Sequence, residues 1–133
     1  MTNAVYPKAK QLALGAGMNL TTATVKALLI DTALYTYSAA HQFLSDVPAG
    51  ARVGVAATLT SKTITDGAFT AGAINVSGLS GAPSVEAVII YVDTGLEASS
   101  YLVAYLDQAS SGLPTTPGAP SIAVSWASPI FTL

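Results

Sequence analysis

Val85-Glu86-Ala87-Val88-Ile89-Ile90-Tyr91-Val92-Asp93, followed by Thr94-Gly95-Leu96-Glu97-Ala98-Ser99 and then Tyr101-Leu102-Val103-Ala104-Tyr105-Leu106-Asp107, is the stretch that decides the fold. The first run is nearly all apolar, so it reads as a central strand covered on both faces. The last run sets Tyr101, Val103 and Tyr105 opposite Leu102, Ala104 and Leu106. The residues between them make a hairpin-sized loop, which predicts antiparallel pairing of the two runs.

Outward from this hairpin the strand signal continues. Thr22 to Asp31 is rich in β-branched and aliphatic residues, with Val25, Ala27 and Leu29 on one face and Lys26, Leu28 and Ile30 on the other. Arg52 to Leu59 alternates, with Val53, Val55, Ala57 and Leu59 together. Lys62 to Thr65 is a short strand, and Ala68 to Val76 alternates around Gly72. Ile122, Val124 and Trp126 alternate again before Ile130-Phe131-Thr132-Leu133. Tyr35 to Ser38 is too short to assign. Ala39 to Val47 suits a helical turn, broken by Pro48-Ala49-Gly50. Tyr6 to Leu14 reads as one short helix: Pro7 fits a first turn, and Gly15 and Gly17 stop it. Many short strands at near-regular spacing predict a mainly β fold, an antiparallel β-sandwich or open barrel with one short N-terminal helix. No internal repeat or boundary divides residues 1–133, which read as one domain.

The composition is skewed. Hydrophobic residues reach 51% and charged residues only 9%, against about 25% charged in an average soluble domain. A neutral exterior of small residues fits either uncharged β faces or a surface covered by partner subunits, where charge would cost desolvation. Five basic and seven acidic residues give a net charge of −2. Lys8, Lys10, Lys26, Arg52 and Lys62 are scattered, so no basic patch recommends nucleic acid as a partner. The absence of cysteine excludes disulfides and thiolate metal sites. The start shows no basic-then-apolar leader, and no apolar run approaches the roughly 20 residues of a membrane span. The expectation is a soluble protein made in the cytoplasm, with no membrane partner.

Catalytic groups are sparse. His41 is the single histidine, with Ser38, Ser45 and Asp46 near it in sequence. Triads are defined by geometry rather than proximity, and no nucleophile elbow is present. A partly buried, hydrogen-bonded histidine is the expectation, and no enzyme activity is expected. Asp31, Asp93 and Asp107 each end a predicted strand and suit turn caps. A cation site at one rim is the alternative, although no calcium-loop pattern supports it. Neither a cofactor nor a metal is expected. Tyr35, Tyr37, Tyr91, Tyr101 and Tyr105 suit a core or a subunit interface, with a sugar-binding surface as the alternative.

Several blocks carry a further signal: Thr24-Val25-Lys26-Ala27-Leu28-Leu29-Ile30-Asp31-Thr32, then Ala40-His41-Gln42-Phe43-Leu44-Ser45-Asp46-Val47-Pro48-Ala49-Gly50-Ala51-Arg52-Val53, and Leu59 to Phe69. They continue through Ile89 to Gly95, Tyr101 to Asp107, and Gly112-Leu113-Pro114. In this order they resemble a family of small virion proteins encoded by tailed bacteriophages and prophages, over about Tyr6 to Trp126. The chain departs from that family in Ala123 to Pro129, which is less charged here. The resemblance implies a structural part of the phage particle and offers no catalytic residue. Its first expression would be a capsid decoration, or cement, protein bracing neighbouring capsid subunits. A tail, neck or baseplate component is the alternative, and a carbohydrate-binding module on the virion surface is another. The implied location is the virion, and the implied partners are the major capsid protein or tail proteins. Two segments suit contact with partners in a homo-oligomer, a trimer or ring: Met1 to Tyr6, and the proline-punctuated Ser110 to Ser121, for which an exposed surface loop is the alternative. The candidate interface residues are Tyr6, Tyr35, Tyr37, Leu113, Pro114, Pro117 and Pro120.

Overall fold

A computed structural model of the chain describes residues 4–15, 17, 19–77, 87–106, 121–124, 126 and 130–132. The described chain is mainly β with antiparallel sheets and a single short α-helix. This is the architecture of a β-sandwich or open barrel, as the strand spacing predicts. The strands are β1 (Ala4–Val5), β2 (Val25–Ile30), β3 (Arg52–Thr58), β4 (Thr63–Thr65), β5 (Ala68–Thr70), β6 (Ile74–Ser77), β7 (Ala87–Val92), β8 (Leu102–Leu106), β9 (Ser121–Val124) and β10 (Phe131–Thr132). The helix α1 spans Pro7–Leu14.

The central sheet has five strands in the order β1-β8-β7-β2-β3, all antiparallel. Every residue of β7 and β8 is buried. The reason is that both faces of this sheet are covered. On the first face Val25, Ala27, Leu29, Val88, Ile90 and Val92 pack with Phe69, Ile74, Val76 and Phe131. These come from two small sheets, β10-β5-β4 and β6-β9. On the second face Leu28, Ile30, Ile89, Tyr91 and Leu102 pack with Tyr6 and Ala9 at α1 and with Leu44, Val47 and Ala51 of the following loop. A continuous apolar run suits a strand with no wet face, and that is the reading of β7 in sequence.

Two bulges interrupt the ladders, and one of them breaks simple alternation. β8 carries one extra residue, Val103, between the Ile90–Ala104 and Tyr91–Leu102 pairs. Val103 and Ala104 therefore both reach the first face, and Tyr105 joins Leu102 on the second. The grouping of Tyr105 with Val103 is corrected by this slip of parity. β3 has three residues where β2 has one, between the Ala27–Ala57 and Leu29–Val53 pairs, and Gly54 there adopts φ +71°. Because two residues are added, parity survives, and Val53, Ala57 and Leu59 still serve the first face.

Three local expectations change. Ala68 to Val76 is not one strand: it divides at Gly72, whose N–H donates to the Thr60 carbonyl at 2.8 Å and whose carbonyl accepts from the Trp126 indole at 2.9 Å. Instead β4 and β5 form a hairpin, turned by Asp66 at φ +51° and Gly67 at φ +83°. That is the backbone a two-residue type I′ turn demands, and Asp-Gly is its usual sequence. The helical turn expected over Ala39 to Val47 shrinks to a 3₁₀ turn at Leu44–Asp46, and Pro48 begins a second at Ala49–Ala51 rather than ending the helical geometry. Among the described residues no helix is long and apolar enough to cross a membrane.

Candidate functional site

The layer over the second face gathers most of the chain's tyrosines. Tyr6 sits just before α1 with its ring fully buried, and its backbone N–H donates to the Val103 carbonyl at 2.9 Å. That bond uses the carbonyl of the extra β8 residue, so the bulge anchors the helix start. The Tyr6 hydroxyl lies 2.7 Å from that of Tyr35, which is only 3% exposed. Tyr35 in turn lies 2.8 Å from His41 Nδ1. Tyr37 packs on Tyr6 and Tyr105 at centroid distances of 5.1 and 5.5 Å, within the range of favourable tilted ring pairs. Burial, followed by the hydrogen bond to Tyr35, pushes the Tyr6 phenol far above its usual range. Burial also raises Tyr35, to about 12.

Of the candidate interface residues, Tyr6, Tyr35 and Tyr37 are thus brought together. Tyr6 and Tyr35 are nonetheless core residues: rings closed inside the chain offer no surface to a partner. Only Tyr37 keeps exposed area. It lines a cleft of about 510 Å³ with Val5, Pro7, Lys10, Ile130 and Phe131. This lining offers aromatic and aliphatic contact beside one ammonium group, and pairs no nucleophile with a general base. Leu113, Pro114, Pro117 and Pro120 lie outside the described residues, as does most of the Ser110–Ser121 segment. His41 is partly buried and hydrogen-bonded through Nδ1. Among the described residues no group of three His, Cys, Asp or Glu side chains could hold a metal ion. Asp31 and Asp93 accept the N–H groups of Ala33 and Gly95, which makes each a turn cap, while Asp107 is outside the described residues.

Two residues that sequence reasoning left unassigned hold this layer in place. Arg52 reaches from β3 so that Nη2 meets the carbonyls of Leu44 and Val47 at 2.9 and 2.7 Å and Glu97 Oε1 at 2.9 Å. One guanidinium thereby fastens the 3₁₀ segment to the β7–β8 loop. Asp46 accepts the N–H groups of Gln42 and Phe43 at 2.8 and 3.0 Å. An acid three residues beyond the start of a turn was a readable sign of this cap; nothing in the sequence marked Arg52. The backbone completes the fastening. Leu44 N–H donates to Ser100 at 2.7 Å, Leu102 N–H to Gln42 at 2.9 Å, and Phe43 bridges Tyr101.

Three carboxyls are held below their ordinary range. Asp46 is lowered by the Gln42 and Phe43 N–H groups, Asp93 by Lys26 and then Gly95, and Glu97 by Arg52. Each group releases its proton more readily folded than unfolded. Its contribution is therefore present above the ordinary carboxylate range and is lost as pH falls through the lowered value. Thermal unfolding followed from neutral pH downward should show the melting temperature falling mainly below about pH 4. Asp46→Asn should flatten part of that decline.

No protein-family model matches the chain, and no curated protein matches it in sequence.

Proposed function

We propose that the chain is a non-enzymatic structural protein of a tailed-bacteriophage particle, acting as a capsid decoration protein. The observation that supports this reading best is the central sheet covered on both faces by the chain's own elements. A domain closed in this way can sit on a shell as a rigid brace without borrowing a core from its partner. The scarcity of charge, at 9% of residues, suits a surface that is pressed against neighbouring subunits. Large apolar side chains stand exposed at Leu14, Leu34, Ile64 and Leu96, and their burial on a neighbour would add contact at about 25 cal/mol per Å² before the costs of association. The ordered resemblance from about Tyr6 to Trp126 supplies the phage context.

Binding to the assembled shell and not to loose subunits would stabilise the shell by linkage. The sugar-binding alternative loses support, because Tyr35, Tyr91 and Tyr105 are buried. The test is quantitative mass spectrometry of purified particles from the strain that encodes the chain. A decoration protein should be present in hundreds of copies per particle. A count of about three to twelve would place it in a closed ring of the tail or neck instead. Its absence from intact particles would overturn the virion reading altogether.

A further inference from the structure

We propose that His41 is an acid-sensitive latch on the layer that covers the second face of the central sheet. Tyr6, Tyr35 and His41 form a line of two hydrogen bonds. Tyr6 Oη lies 2.7 Å from Tyr35 Oη, and Tyr35 Oη lies 2.8 Å from His41 Nδ1. Tyr6 is fully buried, and among the described residues its hydroxyl has no other partner. Two hydroxyl hydrogens therefore find two acceptors in only one arrangement. Tyr6 donates to Tyr35, and Tyr35 donates to an unprotonated Nδ1. The neutral ring then carries its hydrogen on Nε2.

A proton taken from water at Nδ1 places a third hydrogen on the same two contacts. If Nδ1–H donates to Tyr35 and Tyr35 turns to Tyr6, the Tyr6 O–H loses its acceptor. If Tyr6 keeps donating to Tyr35, the Tyr35 O–H loses its own. Either way one O–H loses its acceptor in this line, and moving the ring away relieves that cost.

The charged and titratable neighbours set the opposing effects. Asp46, in the same loop, is anionic and favours the imidazolium, but it is exposed and screened by water. From α1, Lys8 lines a cleft of about 260 Å³ with Gln42, the residue that follows the histidine in sequence. From β8, Tyr105 stands behind Tyr35 at 6.2 Å between ring centroids, with Tyr37 beside it. The segment that must move is the one tied to β8 through Gln42 and Leu44.

Hydrogen–deuterium exchange on the full chain, corrected for the intrinsic effect of pH, reads this directly at about pH 7.5 and about pH 5.5, which bracket imidazole titration. Amides of Leu44 and Leu102 should exchange about tenfold faster at the lower pH, the scale of one lost buried hydrogen bond. His41→Asn offers Oδ1 as an acceptor that takes no proton, and it should abolish the difference. Tyr35→Phe removes the hydroxyl that senses Nδ1, and its exchange should be equal at the two pH values even if the layer is looser. A wild-type chain with no pH difference would overturn the proposal. So would a difference of the same size in either variant.

Discussion

Ile89→Ala and Ile90→Ala should each lower the stability of the folded chain by about 2–5 kcal/mol, the range for buried large-to-small changes. The two side chains point to opposite faces of β7, and both are fully buried. In a sheet with one wet face, one of the pair would be nearly silent. Here Ile90 sits under the small sheets, and Ile89 sits under the tyrosine layer. Urea denaturation of both variants measures the losses side by side. A loss under about 1 kcal/mol for either one would mean that its face is open, since exposed positions usually fall within that range.

The second large effect belongs to Tyr6. Tyr6→Ala should cost about 3–5 kcal/mol, as aromatic truncations in a core do. Tyr6→Phe should cost only about 1 kcal/mol, the net worth of one hydrogen bond, because Tyr35 can still donate to His41. The gap between the two separates a packing role from a contact role. Equal and small losses in denaturation experiments would return Tyr6 to the surface and remove the anchor at the start of α1.

The hairpin of β7 and β8 was legible because burial on both faces leaves an unbroken apolar run. The two faces of β2 were legible from alternation alone. What escaped reading was decided by backbone detail. Val103 is an ordinary strand residue, and nothing in its identity announces that it is the extra one. Its insertion moves Tyr105 to the other face and creates the carbonyl that receives Tyr6. Asp66-Gly67 did carry a hairpin signal, but the strands beside it are only three residues each, too short for alternation to show. The site was harder still. Tyr6, Tyr35 and His41 are separated in sequence, and only the docking of one loop across the sheet brings them into a line. A tyrosine at a strand edge and a tyrosine in a core look alike until that docking is known.

The acid behaviour of the chain should therefore have two separable parts. Carboxylates held low by Lys26, Arg52 and turn N–H groups are lost below about pH 4. The second part is the proposed protonation of His41 Nδ1. The first part changes the melting temperature, and the second changes exchange in one loop.

The most direct measurement is a cryo-electron microscopy map of purified particles from the encoding strain. The decoration reading predicts repeated density on the outer head surface, at junctions between capsid subunits. That density should fit the five-stranded sheet, with the tyrosine layer on one side and the two small sheets on the other. Particles complete in capsid and tail proteins, with no density for this chain anywhere on them, would contradict it.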